Sequence, residues 1–176
     1  MTDRVTFDTD TATEYDRGIR RTLPTYDGLV RLANSAIRMR AVEHSKVFVV
    51  GAGGGNELLE FAESNPSWTF TAVDPSEPML KEARAKVEGR FGAGRVEFVF
   101  GSAEDVPEDE IFDASSCLLV LHFVESMVSK LELLRAIRKR MKPGAPFVIA
   151  SMVGDREDAS FDELFGLWRP GRRVVR

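Results

Sequence analysis

Lys46-Val47-Phe48-Val49-Val50-Gly51-Ala52-Gly53-Gly54-Gly55-Asn56-Glu57-Leu58-Leu59 is an apolar, β-type run that feeds straight into a glycine-rich turn and then a helical pattern. Glycine at positions 51, 53 and 55 lets the backbone bend sharply and removes side chains that would hold a ligand away from the main chain and the next helix's N-terminus. Two spacings compete at this bend. A dinucleotide fingerprint G-x-G-x-x-G counted from Gly51 requires a small residue at position 56 for close helix–strand packing. Position 56 is Asn56, so that spacing fails, while the tighter G-x-G-x-G of Gly51, Gly53 and Gly55 is met. A plain strand-to-helix turn would use the same residue type.

The following segment favours a ligand. Trp68 to Val73 reads as a second strand that ends in Asp74, Pro75 and Ser76. A carboxylate roughly 20 residues past a glycine turn, at the tip of the adjacent parallel strand, accepts hydrogen bonds from both ribose hydroxyls. Such charge-assisted bonds are among the stronger ones. Asp74 can instead help start the next helix, where Ser76 has the character of an N-cap and Pro78 fits the first turn. The two roles are compatible.

Length and composition bound the remaining choices. The chain has 176 residues, 43% of them hydrophobic, enough for one compact domain with a sizeable core. No apolar run approaches the roughly 20 residues that cross a bilayer, and Met1-Thr2-Asp3-Arg4 does not begin a secretion signal, so a cytoplasmic protein with no membrane partner is expected. Cys117 is the only cysteine and falls in an apolar strand, which excludes an internal disulfide and argues against a thiol nucleophile. His44 and His122 have no partners at ligand spacing, and no metal is expected. The net charge of −4 gives no general attraction to phosphate, which makes nucleic acid an unlikely partner. The Arg135, Arg138, Lys139, Arg140 and Lys142 cluster reads as the wet face of a helix near its C-terminus.

Along the chain, strands and helices alternate after a helical leader, the pattern of a parallel sheet with helices on both faces. Tyr26, Leu29 or Val30, Ala33 and Ile37 recur at helical spacing in the leader. Strands are expected at Lys46 to Val50, Trp68 to Val73, Val96 to Phe100, Asp113 to Leu118 and Pro146 to Met152. Between the last two, Met127, Leu131, Leu134, Ile137 and Met141 fall on one face of a long helix that Pro143-Gly144 stops. The expected organisation is a single domain: a leader and substrate cap (1–45), a doubly wound core (46–153), and a terminal helix with a basic tail (154–176).

The order of motifs from Val47 to Val153 resembles the core of class I S-adenosylmethionine (SAM)-dependent methyltransferases. Gly51, Gly53 and Gly55 are similar to the family's first motif and Asp74 stands at its acidic position. Gly101-Ser102-Ala103-Glu104-Asp105-Val106-Pro107 is similar to its adenine loop, and Phe112-Asp113 to His122 to its fourth strand. Ile19 to Tyr26 resembles the leader helix of small bacterial methyltransferases and of carboxy-SAM synthases. The resemblance implies a Rossmann-like α/β fold, a doubly wound parallel sheet, with SAM as cofactor. It implies a cofactor site at Gly51, Ala52, Gly53, Gly55, Asp74, Pro75, Ser102, Ala103, Glu104 and Leu119. The acceptor would enter over the strand tips, near Leu119 to Phe123 and the leader's Tyr15, Arg20, Arg21 and Tyr26. His122 is the base candidate, with Tyr15 and Tyr26 as candidate ligand contacts.

Three departures accompany the resemblance. The family often has an acid two positions before its first motif glycine, and here Val49 stands there. Ser102 replaces an acid common after the glycine of the adenine loop, which removes charge assistance. After Val153 only about one helix remains, with a capping box at Ser160 to Glu163 and an apolar face of Phe161, Leu164, Phe165 and Trp168. The expected fold therefore lacks the usual C-terminal antiparallel strand pair, and an unpaired fifth strand would be an edge open to a second copy, giving a homodimer. The leading expectation is methyl transfer to a small-molecule acceptor. A carboxy-SAM synthase-like, non-methylating enzyme and a truncated SAM-binding domain without catalysis are the alternatives, and Asn56 argues against a nicotinamide-dependent dehydrogenase.

Overall fold

The computed structural model describes residues 18–153 and Asp158. Five parallel strands form one sheet: β1 (Lys46–Val50), β2 (Thr69–Asp74), β3 (Val96–Phe100), β4 (Ala114–Leu118) and β5 (Phe147–Ala150). Their spatial order is β3-β2-β1-β4-β5, so the chain winds outward from β1 in one direction and then in the other. That reversal puts a crevice between the tips of β1 and β4, where a doubly wound sheet binds its ligand. The helices are α1 (Tyr26–Arg38), α2 (Asn56–Ser64), α3 (Glu77–Phe91) and α4 (Met127–Lys139).

The strands are nearly continuous in apolar residues because both faces are covered. On one face Val47, Val49, Phe70 and Ala72 pack with Leu58 and Phe61 of α2, Ala83 and Val87 of α3, and Tyr26, Val30, Ala33 and Ile37 of α1. On the other, Phe48, Val50, Val73 and Cys117 pack with Ala136 and Ile137 of α4 and with Phe112, stacked on Phe48 at 4.7 Å between ring centroids. The leader stripe therefore faces the core as its spacing predicts.

Several strand bounds and two helix readings need correction, and the fifth strand, expected over Pro146 to Met152, spans only Phe147–Ala150. The second strand starts at Thr69 and the fourth at Ala114, because Trp68 turns its ring into the core and donates Nε1–H to the carbonyl of Val42, and Asp113 accepts from the Lys46 N–H before pairing begins. The face of α4 that meets the sheet is Leu133, Ala136 and Ile137, not the Met127–Leu131 side, which is exposed. Arg140, expected on the wet face, is 3% exposed. The expected terminal helix and basic tail lie outside the described residues, apart from Asp158. Among the described residues no helix is long and apolar enough to cross a membrane.

Candidate functional site

The bend after β1 is held by its neighbour β2. The N–H groups of Gly51 and Ala52 both donate to the Val73 carbonyl, at 2.8 and 3.1 Å. Val73 is the last residue before Asp74, so these two bonds tie the glycine bend to the strand that carries the acid. Gly51 has φ +72°, and a Cβ there would stand 2.2 Å from Val120 Cγ2. Glycine is thus required both for the left-handed turn and for the approach of the β4 tip. Gly55 has φ +81° and packs so closely on α3 that a Cβ would stand 2.8 Å from Ala83 Cα. That contact is what the dinucleotide spacing assigns to position 56, met here one residue earlier.

Asp74 is the hinge of the site. One carboxylate oxygen accepts from Gly53 N–H and the other from Ser76 N–H, both at 2.8 Å, so the side chain spans the bend and the start of α3. It is 8% exposed. Burial raises its carboxyl above the usual range, and the two N–H donors work against that rise. Each oxygen keeps a lone pair for a further donor, which is the capacity that binding a vicinal diol demands. Ser76 caps α3 by accepting from Met79 N–H, the helix-starting role anticipated for this turn.

The loop after β3 is shaped by a residue that motif reading passed over. Gly101 N–H donates to the Asp74 carbonyl at 3.0 Å, so the loop starts from the same acid. Asp105 then folds back and accepts from Ser102 N–H at 2.6 Å and from Ser102 Oγ at 3.1 Å. Ser102 Oγ in turn accepts from Glu104 N–H, closing a 3-10 turn at Ala103–Asp105. The charge absent at position 102 is therefore supplied three residues later. Beneath the turn, buried Arg140 donates through Nε to the Val106 carbonyl at 2.7 Å and through its terminal nitrogens to the carbonyls of Glu104 and Ala136, at 3.1 and 2.9 Å. A basic residue read from periodicity as solvated is the clip of the loop.

These pieces enclose a cavity of about 280 Å³, lined by Val50, Gly51, Val73, Pro75, Gly101 to Glu104, Val120, Val124, Ser129, Glu132 and Leu133. Its walls are mostly apolar, suited to a flat ring, with Asp74 immediately beside it. A larger groove of about 510 Å³ lies outside, between α3 and Phe98 and Phe100 of edge strand β3, away from the β1 and β4 tips. The bend, the Asp74 carboxylate and the apolar slot have the shape and polarity to suit a nucleoside.

The acceptor side lies beyond the β4 tip. Leu119 is the one non-glycine among the described residues with positive φ, at +59°, and its N–H donates to the Ala150 carbonyl at 2.7 Å. This left-handed residue ends β4 and turns the chain into the short helix Leu121–Phe123. His122 lies there, half buried, with Nδ1 3.4 Å from Ser151 Oγ and its ring against Phe123. Burial, then the nearby Lys130 charge, holds its pKa below 6.5. Tyr26 is 7% exposed within the core, and the Arg20 guanidinium lies 5.6 Å from its ring centroid. The structure therefore brings together the glycine bend, Asp74, Pro75 and residues 102–104, with Leu119 and His122 at the neighbouring tip. Tyr15 lies outside the described residues.

Comparison with known proteins accords with this geometry. The carboxy-S-adenosyl-L-methionine synthase of Methylococcus capsulatus is 27% identical over 84% of this chain and 61% of its own length. The ubiquinone/menaquinone biosynthesis C-methyltransferase UbiE of Geobacter sulfurreducens is 31% identical over 72% of this chain and 53% of its own length. The chain thus spans between about half and three fifths of these curated relatives. Among solved structures, the SAM-bound amino pentose methyltransferase CalS10 of Micromonospora echinaspora superposes with a TM-score of 0.67 at 21% identity, covering 79% of this chain and 56% of that one. The family model described as a methyltransferase domain matches residues 47–144, from the second residue of β1 to the turn before β5. With more than half of the chain matched, and with the glycine bend, Asp74 and the clipped loop all inside the match, the chain belongs to the methyltransferase-domain family.

Proposed function

We propose that this chain binds S-adenosyl-L-methionine across the carboxyl edge of its sheet and transfers the methyl group to a small-molecule acceptor. The observation that carries the reading is the double grip of Asp74 on Gly53 N–H and Ser76 N–H, which fixes a carboxylate where a ribose would lie. In this reading the adenine fills the slot formed by Val50, Val73 and residues 101–104, the ribose meets Asp74, and the methionine end rests on the glycine bend. The relatives support it, since one is named for a carboxylated S-adenosyl-L-methionine and another as a C-methyltransferase.

The sulfonium supplies a good leaving group, so this chain's contribution is alignment and the exclusion of water. The rigid bend and the clipped loop hold the nucleoside still. His122, neutral at physiological pH, is placed to accept a proton from a hydroxyl, amine or activated carbon at the β4 tip, with Ser151 orienting its Nδ1. The leader, whose α1 packs on β4 and β5, caps the acceptor side as part of a single domain.

Calorimetry with SAM and with S-adenosylhomocysteine, on wild type and on Asp74→Ala, tests the cofactor assignment. The variant should weaken both ligands by about 1.5–3 kcal/mol, the worth of hydrogen bonds to a charged group. Unchanged affinity would remove Asp74 from the site. A second reading, a non-methylating SAM enzyme, is favoured by the relative named as a carboxy-SAM synthase. Methyl-deuterated SAM separates the two: the label moves to the acceptor in methyl transfer and stays on a heavier nucleoside in the other case.

A further inference from the structure

Behind the glycine bend the chain buries an acid that methyl transfer leaves without a role. Glu57 lies in the first turn of α2, two residues after Gly55, and is 5% exposed. Its Oε1 is buried near the Ser116 hydroxyl of β4, and neither atom makes a hydrogen bond of good geometry. Ser116 stands beside Val49 in the β1–β4 register, and Val49 precedes the last residue of β1. The carboxyl and the hydroxyl therefore occupy the layer directly beneath the bend. Burial pushes the Glu57 carboxyl up to about 7, with the Ser116 hydroxyl working in the opposite direction.

The surroundings contain little to hold the anion. β1 presents Val47 and Val49, and the buried face of α1 presents Val30, Ala33 and the phenol of Tyr26. On the opposite, α4-covered face of the sheet lies the Cys117 thiol, pushed up to about 12 by burial and by the Glu57 charge. From α3, Lys86 donates to the Gly54 carbonyl at 2.8 Å, and from β2, Asp74 accepts from Gly53 N–H. A buried carboxylate with an unfilled acceptor is costly, so an added positive charge nearby has a large effect on whether it ionises.

Taking the SAM reading as its basis, we propose that Glu57 is the residue by which this fold distinguishes the sulfonium cofactor from its neutral thioether product. SAM carries one ammonium, one carboxylate and one sulfonium, a net charge of +1, whereas the product has lost the sulfonium charge. When the cation settles on the bend, the Glu57 carboxyl gives its proton to solvent and the two charges balance across the glycines. When the methyl group leaves, the sulfur keeps the bonding electron pair and becomes neutral, and Glu57 takes a proton back. The product then meets a bend with less Glu57 charge beneath it, while Asp74 still faces its ribose.

Calorimetry in two buffers of different ionisation enthalpy counts the protons. At pH 7 the full chain should release about half a proton per SAM bound, because a group titrating near 7 is half protonated there, and close to none per S-adenosylhomocysteine. Glu57→Gln should abolish the release and lower the SAM-to-product affinity ratio by on the order of tenfold at pH 8, the scale on which one unit charge acts on another across a protein interior. Ser116→Ala keeps the carboxyl and removes the hydroxyl that favours its ionised form, so the pH at which release is half-maximal should rise. Equal proton counts for the two ligands, or a release that persists in Glu57→Gln, would overturn the proposal while leaving the cofactor assignment standing. Failure of wild type to bind either ligand would instead remove the assignment on which it rests.

Discussion

Replacing Glu57 by glutamine should abolish a pH-dependent loss of stability that the wild-type chain carries even without ligand. The folded carboxyl titrates at about 7 against an ordinary value of 4.5. Below pH 4.5 both folded and unfolded chains hold the proton and the group has no effect. Between the two values the unfolded chain has released a proton that the folded chain retains, so stability falls as pH rises; above about 7 the loss is complete. A gap of about 2.5 pH units, at 1.36 kcal/mol each, puts the full loss at about 3 kcal/mol. Urea unfolding of wild type and Glu57→Gln from pH 4.5 to 8.5 gives the difference directly. Burial also raises the Asp74 carboxyl, and Asp113 is lowered by its Lys142 partner against the opposing effect of burial, but both titrate alike in the two proteins and cancel. The difference curve should bend in favour of the variant by about 3 kcal/mol between pH 5 and 7.5. A difference constant to within about 0.5 kcal/mol would show that Glu57 does not titrate abnormally.

Other perturbations probe the rest of the site. Gly51→Ala drives a Cβ to 2.2 Å from Val120 Cγ2 at a φ of +72°, so SAM affinity should fall at least tenfold, and adding Val120→Ala should restore part of it by relieving the clash but not the backbone strain. Arg140→Met leaves the Val106, Glu104 and Ala136 carbonyls without their donor and should cost about 3 kcal/mol of unfolding free energy, with weaker nucleoside binding; a stability loss under about 1 kcal/mol would show that the clip is dispensable. The His122 ring, followed by NMR, should titrate below 6.5 and move upward in Lys130→Gln, whose lost charge is one of the two causes of the depression. A midpoint at or above 6.5 in wild type would contradict the burial argument.

What could be read from the chain without coordinates follows the physics of each element. β1 and β3 have the bounds expected of them, because Lys46 to Val50 and Val96 to Phe100 are apolar runs closed by glycine at Gly51 and Gly101. The place of Asp74 at the β2 tip, bonded to the bend, was legible because its type and distance from the bend are set by strand geometry. The covered side of α4 was misread because Met127 and Leu131 obey helical spacing as well as Leu133 and Ile137 do, and spacing alone does not say which stripe meets the sheet. Arg140 escaped because charge normally signals exposure, and only the three-dimensional supply of free carbonyls makes its burial favourable. Asp105 and Glu57 were missed for a related reason. Their roles depend on a neighbour, Ser102 in one case and the Val49–Ser116 pair in the other, that no local pattern specifies.

The Arg140 clip has a consequence for how such a domain diversifies. The segment proposed to grip the nucleoside hangs by two carbonyls, Glu104 and Val106, from Arg140 at the far end of α4, whereas the tip carrying Leu119 to Phe123 hangs from β5 through Ala150 and Ser151. The two ends of the crevice are thus suspended from different anchors. Rebuilding the acceptor end, by inserting or exchanging chain after β4 or after β5, leaves the nucleoside end undisturbed, which gives one scaffold the freedom to change what it modifies while keeping its methyl donor.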